Sequence, residues 1–292
     1  MAIDVEQLRK PIRKLQKFAA KLPRNPSPEK IHKLRTNARK LESTFAALSL
    51  DSGNNERRLI KEVRRIRKRA GKVRDLDVLT GDLATIRVEG ESDCQVQLLE
   101  HLGGKRRKQA RKLRKLISSH RADMEQRLRK VSAGLDEALK NKEPQAGPLA
   151  AAESLRLSSE LASPRRFSKD NLHSYRLKVK QLRYVLELSP DHPKFADDLS
   201  QVKDAIGDWH DWEELVTIAD KVLDHGADCK LTRQIKAMAD SKFDYAARVA
   251  DRLRAKYVKS PKRSNKKRQG AGLSIAAIAA SAGLSEPTEK AA

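Results

Sequence analysis

The sequence predicts an all-α protein, an internally duplicated helical bundle whose two halves are related by an approximate twofold axis. Three observations predict it. Apolar residues recur at helical spacing along most of the 292 residues, charged residues (35%) are nearly as frequent as hydrophobic ones (38%), and two blocks of sequence occur twice in the same order. Thin apolar stripes among many charges are typical of amphipathic helices rather than of a core built on a sheet.

The first three helices follow from this spacing. Apolar residues from Leu8 to Phe18 predict a first helix that ends before the prolines at 23, 26 and 28. Ser27 followed by Pro28 is typical of a helix start. The inward residues predicted for the second helix are Ile31, Leu34, Ala38, Leu41 and Phe45. Those predicted for the third helix, after the turn at 51–55, are Leu59, Val63, Ile66, Ala70 and Val73.

The rest of the chain is organised around one long basic stretch. Residues 95–139 predict one long or bent helix, since little in this stretch would interrupt a helix except Gly103 and Gly104. Three more helices are predicted at 171–189, 195–224 and 227–258. We therefore expect one domain over residues 1–258, with halves at about 1–140 and 153–258 and a linker at about 141–152 that is rich in Pro, Gly and Ala. The basic, low-complexity residues 259–292 predict a disordered tail.

The positive charge is concentrated in the first half. The chain carries a formal net charge of +24, which attracts polyanions. Residues 1–140 hold 36 Lys and Arg against 18 Asp and Glu, whereas residues 141–258 hold 20 against 19. Cys94 and Cys229 are too few for a disulfide framework, and neither a membrane-spanning stretch nor the apolar core of a signal peptide is apparent, so we expect a cytoplasmic protein.

The two repeated blocks locate equivalent positions in the halves. Residues 31–35 read IHKLR, and residues 172–176 read LHSYR. Downstream, residues 70–77 read AGKVRDLD, and residues 206–213 read IGDWHDWE. Because both blocks keep their order, they predict a duplicated fold in which equivalent helices face each other.

This pattern resembles a known family. Each half has His-x-x-Arg-x-x-x-basic, followed by Gly-x-x-Arg/His-Asp-x-acidic, which is similar to the CHAD family, the conserved-histidine α-helical domain. The resemblance covers about residues 1–258. It implies a helical bundle with a basic central surface that binds inorganic polyphosphate. Some family members accompany a triphosphate-tunnel catalytic domain, but its Glu-x-Glu-x-Lys signature does not occur in this sequence, so the resemblance implies no catalysis.

The spacing of cations predicts a phosphate-binding seam. At about 100° per residue, His32, Arg35 and Arg39 fall within about 60° of one another at the border of the apolar stripe. The residues at 173–183 form the same ridge, and Lys61, Arg64 and Lys68 share a face of the third helix. The predicted phosphate-binding residues are His32, Arg35, Arg39, Lys40, Lys61, Arg64, Lys68, Arg107, Arg111, Arg114, His173, Arg176, Lys180 and Arg183.

Several interpretations of these residues stay open at this point. His32 and His173 could equally pack between helices and donate one hydrogen bond each. Asp75 and Asp211 are expected to pair with a helix terminus or a cation, and Trp209 and Trp212 to lie in the core. We expect no metal, no cofactor and no catalytic residue. Glu42 stands where the second half has Arg183, so we expect the first half and the long basic helix to dominate binding.

Two other function classes compete with polyphosphate binding. Regular phosphates of a nucleic acid also suit basic helices, although only 4% of the residues are aromatic and no known nucleic-acid motif is present. An enzyme that hydrolyses phosphoanhydrides would need Mg²⁺ held by clustered carboxylates or an activated nucleophile, and neither is evident beside the basic seam. A scaffold that targets polyphosphate granules would use the same binding chemistry.

Overall fold

The structure is a computed structural model that describes residues 5–47, 50, 53–88, 92–140, 156–157, 159–162, 166–186, 193–224 and 229–257. Its long helices are α1 (Val5–Ala20), α2 (Pro28–Ala47), α3 (Asn54–Thr85), α4 (Ser92–Ser119), α5 (Arg121–Lys140), α6 (Lys169–Leu186), α7 (Pro193–Val222) and α8 (Lys230–Tyr257). These ranges contain no β-strand, so the predicted all-α fold class is confirmed. The predicted linker at 141–152 and the tail at 259–292 lie outside the described residues.

At several helix ends, side chains form hydrogen bonds with backbone groups near the end of the helix, where the backbone lacks some of its helical partners. The backbone N–H of Lys30 donates to Ser27 Oγ (3.4 Å), which caps α2. At the end of α3 the side-chain amide of Gln95 donates to the carbonyls of Leu83 (3.1 Å) and Ile86 (3.0 Å). The start of α6 is held by Ser168, whose N–H donates to Asn171 Oδ1 (3.0 Å). Each contact satisfies a backbone group or shapes the turn that a helix end leaves open.

Helix α3 is the centre of a layer of three helices. It packs between α2 and α4, and α1 packs on α2. All the inward residues predicted for α2 and α3 are buried, because the apolar positions recur at three- and four-residue steps along one side of each helix. Trp209 and Trp212 are also buried, as predicted, and Cys94 and Cys229 are buried and free of a disulfide.

The long basic stretch forms two helices that run antiparallel to α3. As the numbers fall along α3 from Asp77 to Glu62, the partners rise from Arg106 through Gln109 to His120. The single long or bent helix predicted over 95–139 is divided at His120 into α4 and α5, whereas α4 continues through both of its glycines. Leu113, Ile117, Met124 and Leu128 are buried on either side of His120, so packing continues across it.

The chain forms two compact units. The large unit contains α1 to α4, α5 up to Ala138, and the segments 207–222 and 230–244; the small unit contains α6 and the segments 193–206 and 245–257. A core cluster of the large unit joins α3 and α4 to α7 and α8 through residues such as Leu79, Leu98, Leu215 and Ile235. In the small unit, Tyr175 packs edge-on against Phe167 at 4.7 Å, and the Arg254 guanidinium lies 4.5 Å from the centre of the Phe167 ring.

One ion pair ties α3, α4 and the α1–α2 loop together. Arg106 Nε donates to Asp77 Oδ1 at 2.5 Å, and its two terminal nitrogens donate to Asn25 Oδ1 (2.9 Å) and to the Pro26 carbonyl (2.8 Å). The Asp77 side chain is only 3% exposed. A carboxylate that is removed from water to this extent is tolerated only when a cation and hydrogen bonds compensate it.

We therefore expect Arg106→Leu to destabilise the fold by about 3 kcal/mol, because the buried Asp77 carboxylate would lose its cation. Arg107→Leu is the control, since Arg107 is exposed and has no acidic partner among the described residues; its effect should stay within about 0.5 kcal/mol. Urea unfolding followed by far-ultraviolet circular dichroism measures both. Equal losses in the two variants would contradict the role assigned to Arg106.

Candidate polyanion site

Helices α2 and α3 meet at a row of cations that is partly neutralised. Glu42 of α2 accepts hydrogen bonds from Arg64 Nε (2.7 Å) and Arg67 Nε (2.5 Å) of α3. Burial raises the pKa of the Glu42 carboxyl, but the bonds from Arg67 and Arg64 and their charges outweigh burial, so the net pKa is lowered. Glu42 is therefore ionised at neutral pH and occupies two of the arginines of this row.

Farther along the same contact, Arg35 lies against α3 at Gly71. A Cβ atom at position 71 would lie 3.5 Å from Arg35 Nε and 4.0 Å from Asp75 Oδ2, which is ordinary van der Waals contact. A longer side chain at 71 would displace the guanidinium. Arg35 of α2 thus lies in contact with α3 beside Gly71.

A cleft of about 400 Å³ lies between α3 and α4, and we call it the α3–α4 cleft. Four cations of α3 surround an apolar floor formed by Leu116 of α4. These cations are Arg65, Lys68, Arg69 and Lys72. Arg69 donates to Gln109 Oε1 of α4 (3.4 Å), and Arg65 pairs with Glu62 (2.7 Å). Lys68 and Lys72 are exposed and have no acidic partner within the described part of the chain.

A second cleft, of about 550 Å³, lies between α4 and the α1–α2 loop, and we call it the α4–loop cleft. Arg24 and Asn25 of the loop form one wall, and Arg107 and Arg111 of α4 form the other. Gly104 and Ala110 are the small residues of its lining. Arg24, Arg107 and Arg111 have no ion pair with any acidic side chain of the described ranges. The cleft therefore concentrates three guanidinium groups, each able to bind two phosphate oxygens.

The predicted cations of the second half lie on α6 in the small unit. Arg176 Nε donates to the backbone carbonyl of Lys203 (3.2 Å), and Lys180 is buried at 8% exposure. Burial lowers the pKa of His173, and the charges of Arg176 and Lys180 lower it further. A histidine in this setting is neutral at pH 7.

Acidic side chains of α3 and α7 lie near one another where these helices face each other. Burial raises the pKa of Glu214, and the nearby Asp75 carboxylate raises it further against the opposing effect of Lys105. Burial likewise raises the pKa of Asp82, with Asp208 adding to it. Within the described ranges, no three His, Cys, Asp or Glu residues are grouped so as to hold a metal ion. The positive clefts and these acidic pairs therefore occupy different surfaces of the large unit.

The structure distributes the predicted site residues between the two units. Those in the large unit are His32, Arg35, Arg39, Lys40, Lys61, Arg64, Lys68, Arg107, Arg111 and Arg114. Those in the small unit are His173, Arg176, Lys180 and Arg183. Among the first set, Lys68 lines the α3–α4 cleft and Arg107 and Arg111 line the α4–loop cleft, whereas Arg64 is turned toward Glu42.

Sequence reasoning missed five residues that line the clefts: Arg24, Asn25, Arg65, Arg69 and Lys72. Arg65 and Lys72 could have been found, because Lys61, Arg65, Lys68 and Lys72 follow one another at steps of four, three and four residues and share one ridge of α3. Arg24 and Asn25 could not, since their positions depend on the hydrogen bonds from Arg106, which join residues about 80 positions apart.

The fold and these surfaces define an all-α protein with cation-lined clefts on one layer of helices. The CHAD domain family model matches residues 6–220, and the chain belongs to that family. The structure is similar to the crystal structure of the CHAD domain from the plant Ricinus communis, with a TM-score of 0.62 and 15% sequence identity over 85% of this chain and 86% of that one. A comparison with curated proteins found no match. No described helix is long and apolar enough to cross a membrane.

The titration of His173 tests the electrostatics of α6. We expect its pKa below the ordinary 6.5, and we expect Lys180→Met to raise it, because this variant removes a like charge and keeps most of the side-chain packing. Histidine C–H signals in NMR spectra recorded against pH, assigned by their loss in His173→Gln, measure the shift.

The direction of the shift also fixes its effect on stability. The unfolded chain takes up this proton first as the pH falls, so the contribution of His173 to stability is lost between about pH 6.5 and its lower folded pKa. A His173 midpoint above 6.5, or one unchanged in Lys180→Met, would contradict this account.

Proposed function

We propose that this protein binds inorganic polyphosphate, a linear polyanion, through the cations of the α2, α3 and α4 layer. The observation that supports it most is that seven cations line the two clefts, and among the described residues no acidic side chain lines either cleft. They are Arg24, Arg65, Lys68, Arg69, Lys72, Arg107 and Arg111. The CHAD resemblance implies the same ligand, and the net charge of +24 favours any polyanion.

Helical cations suit this ligand for energetic reasons. A hydrogen bond between a charged donor and a phosphate oxygen contributes roughly 1.5–3 kcal/mol, so four such bonds contribute roughly 6–12 kcal/mol before the entropy of association is subtracted. Packing of α3 and α4 already fixes where the stem of each side chain emerges. This lowers the entropy that binding must remove from long Lys and Arg side chains.

The α6 cations form a second set in this proposal. Arg176 and Lys180 lie near His173, whose lowered pKa would rise on contact with a polyanion, and Arg183 follows on the same helix. Binding to this set would therefore tighten as the pH falls through the range in which His173 becomes protonated. Polyphosphate granules are the cellular location at which such a binding protein would act.

We propose binding without catalysis. Phosphoanhydride hydrolysis needs a metal ion held by carboxylates or an activated nucleophile, and the residues that line the two clefts supply guanidinium, ammonium, amide and apolar groups. Incubation with polyphosphate and Mg²⁺ should release no phosphate above the background. Release that disappears in Asp75→Asn or Asp211→Asn would instead identify an enzyme.

Reversal of the Arg107 and Arg111 charges tests the location of binding. We expect Arg107→Glu with Arg111→Glu to weaken polyphosphate binding by about 100-fold, because two charge-assisted contacts become repulsive. The matched control is Arg248→Glu with Arg252→Glu on α8, an exposed arginine pair at the same spacing and with the same change in net charge. Fluorescence anisotropy of labelled polyphosphate at fixed salt measures both.

Equal losses in these two double variants would mean that net charge alone determines binding. Competition against labelled RNA and DNA then distinguishes the ligand classes. Displacement by polyphosphate that exceeds displacement by nucleic acid at equal phosphate concentration supports the proposal, and equal displacement would replace it with general binding of polyanions.

Neutralisation of Glu42 should act in the opposite direction. We expect Glu42→Gln to tighten polyphosphate binding by about fivefold, because Arg64 and Arg67 would lose their ion pair and become available to phosphate. Glu125→Gln on α5 is the control, since Glu125 also pairs with two arginines, Arg121 and Arg129. The same anisotropy titration measures the change, and an equal gain in both variants would exclude a specific role for Glu42.

A further inference from the structure

Each nitrogen of the Arg106 guanidinium has a partner within the protein. Its Nε donates to Asp77 Oδ1 of α3 at 2.5 Å, and its two terminal nitrogens donate to Asn25 Oδ1 (2.9 Å) and to the Pro26 carbonyl (2.8 Å). The Asp77 side chain that holds the group is 3% exposed. Arg106 therefore acts on the neighbouring α4–loop cleft through the loop that it holds.

The hydrogen bond from Arg106 fixes the orientation of the Asn25 amide. A guanidinium has only donors, so the atom of the amide that faces it is the oxygen. The amide nitrogen, which can donate two hydrogen bonds, is left for another partner. Among the described residues no group accepts a hydrogen bond from this nitrogen. Asn25 is exposed and lines the α4–loop cleft, so its donor is available there.

The loop has little freedom to turn this amide elsewhere. Pro26 is buried and has a fixed φ, and a residue that precedes a proline is largely restricted to extended backbone. The Pro26 carbonyl and the Asn25 side chain are held by the same guanidinium. Both the backbone and the side chain of the loop are thus anchored to α4, whose Arg107 and Arg111 line the same cleft.

We propose that Asn25 is a neutral hydrogen-bond donor to a phosphoryl oxygen in the α4–loop cleft, and that Arg106, held by Asp77, is the positioning residue that orients the Asn25 amide. This inference rests on the proposed function and adds to it a ligand-binding residue that carries no charge. Because the amide oxygen accepts a hydrogen bond from a cation, the amide is polarised and its nitrogen donates more strongly.

The lack of charge distinguishes Asn25 from the arginines of the cleft. Each cation that binds a phosphate releases a counterion, so the affinity falls with salt in proportion to the number of such contacts. Loss of an arginine contact lowers this salt dependence, whereas loss of a neutral donor weakens binding equally at every salt concentration. If Asn25 only supported the loop, its removal would also release Arg24 and would lower the salt dependence.

Replacement of Asn25 by an apolar residue of similar size tests the donor. Asn25→Leu leaves the net charge unchanged, and Asn55→Leu is the matched control, because Asn55 Oδ1 also accepts a hydrogen bond from an arginine, Arg127 (3.4 Å). Anisotropy titrations with labelled polyphosphate at several salt concentrations measure both variants, and circular dichroism checks that they fold. We expect Asn25→Leu to weaken binding about tenfold with unchanged salt dependence, and Asn55→Leu to change binding less than twofold.

A double-mutant cycle tests the positioning role of Arg106. Arg106→Lys keeps a positive charge beside Asp77 and removes the forked donors that hold the loop. We expect this variant to weaken binding by itself, and Asn25→Leu to add less than a twofold loss in its background, because the amide is no longer oriented there. A further tenfold loss in that background would overturn the positioning role.

The same titrations separate this inference from the proposed function. If the wild type prefers polyphosphate to single-stranded DNA with the same number of phosphates but Asn25→Leu matches Asn55→Leu, then Asn25 is not a ligand-binding residue and the proposed function survives. A tenfold loss together with a lowered salt dependence would assign Asn25 to loop support and overturn its role as a donor. If the wild type shows no preference for polyphosphate, the proposed function fails before the variants are compared.

Discussion

The guanidinium of Arg106 is the contact on which the arrangement of the large unit depends. It joins α4 to the buried Asp77 of α3 and to the loop between α1 and α2. An arginine suits this task because its planar group donates in several fixed directions at once, whereas a lysine would offer a single charged point. The neighbouring Arg107 points into solvent. One turn of α4 therefore contains both the cation that holds the layer together and a cation that is available to a ligand.

The layer formed by α2, α3 and α4 carries many Lys and Arg side chains, and their positive charges repel one another. Like charges on neighbouring helices destabilise the folded chain, more so at low ionic strength. Two features oppose this. The stripes of buried residues on α2, α3 and α4 supply apolar contact, and Glu42, Glu62 and Asp77 neutralise Arg67, Arg65 and Arg106, respectively. Five cations that have no acidic partner among the described residues, Arg24, Lys68, Lys72, Arg107 and Arg111, are exposed, so solvent screens their charges.

The sequence predicted the helices well and the site in part, for different physical reasons. Burial at helical spacing depends on neighbours three or four residues apart, so the inward faces of α2 and α3 were correct to the residue. Site geometry depends on contacts between distant residues. The sequence does not show that the distant Glu42 binds Arg64, whereas the next residue, Arg65, pairs with Glu62 and lines a cleft. The division of this stretch at His120 was likewise not predicted, since residues 95–139 contain no proline and the glycines at 103 and 104 stay helical.

The acidic pairs on α3 and α7 show how these two helices are oriented relative to each other within the large unit. Asp75 lies near Glu214 and Asp82 lies near Asp208, so α3 and α7 run antiparallel. In this alignment Leu76 of α3 lies opposite Trp212 of α7. Both residues belong to the second repeated block of their half. This register is the one that a twofold relation between the blocks would produce, although the duplication itself stays a prediction. Cations lie beside these carboxylates, namely Arg74, Lys105 and Lys242, so charges of both signs meet where α3 faces α7. In the clefts, by contrast, Lys68, Lys72, Arg107 and Arg111 have no acidic partner among the described residues, and the proposed binding of a polyanion therefore places it there.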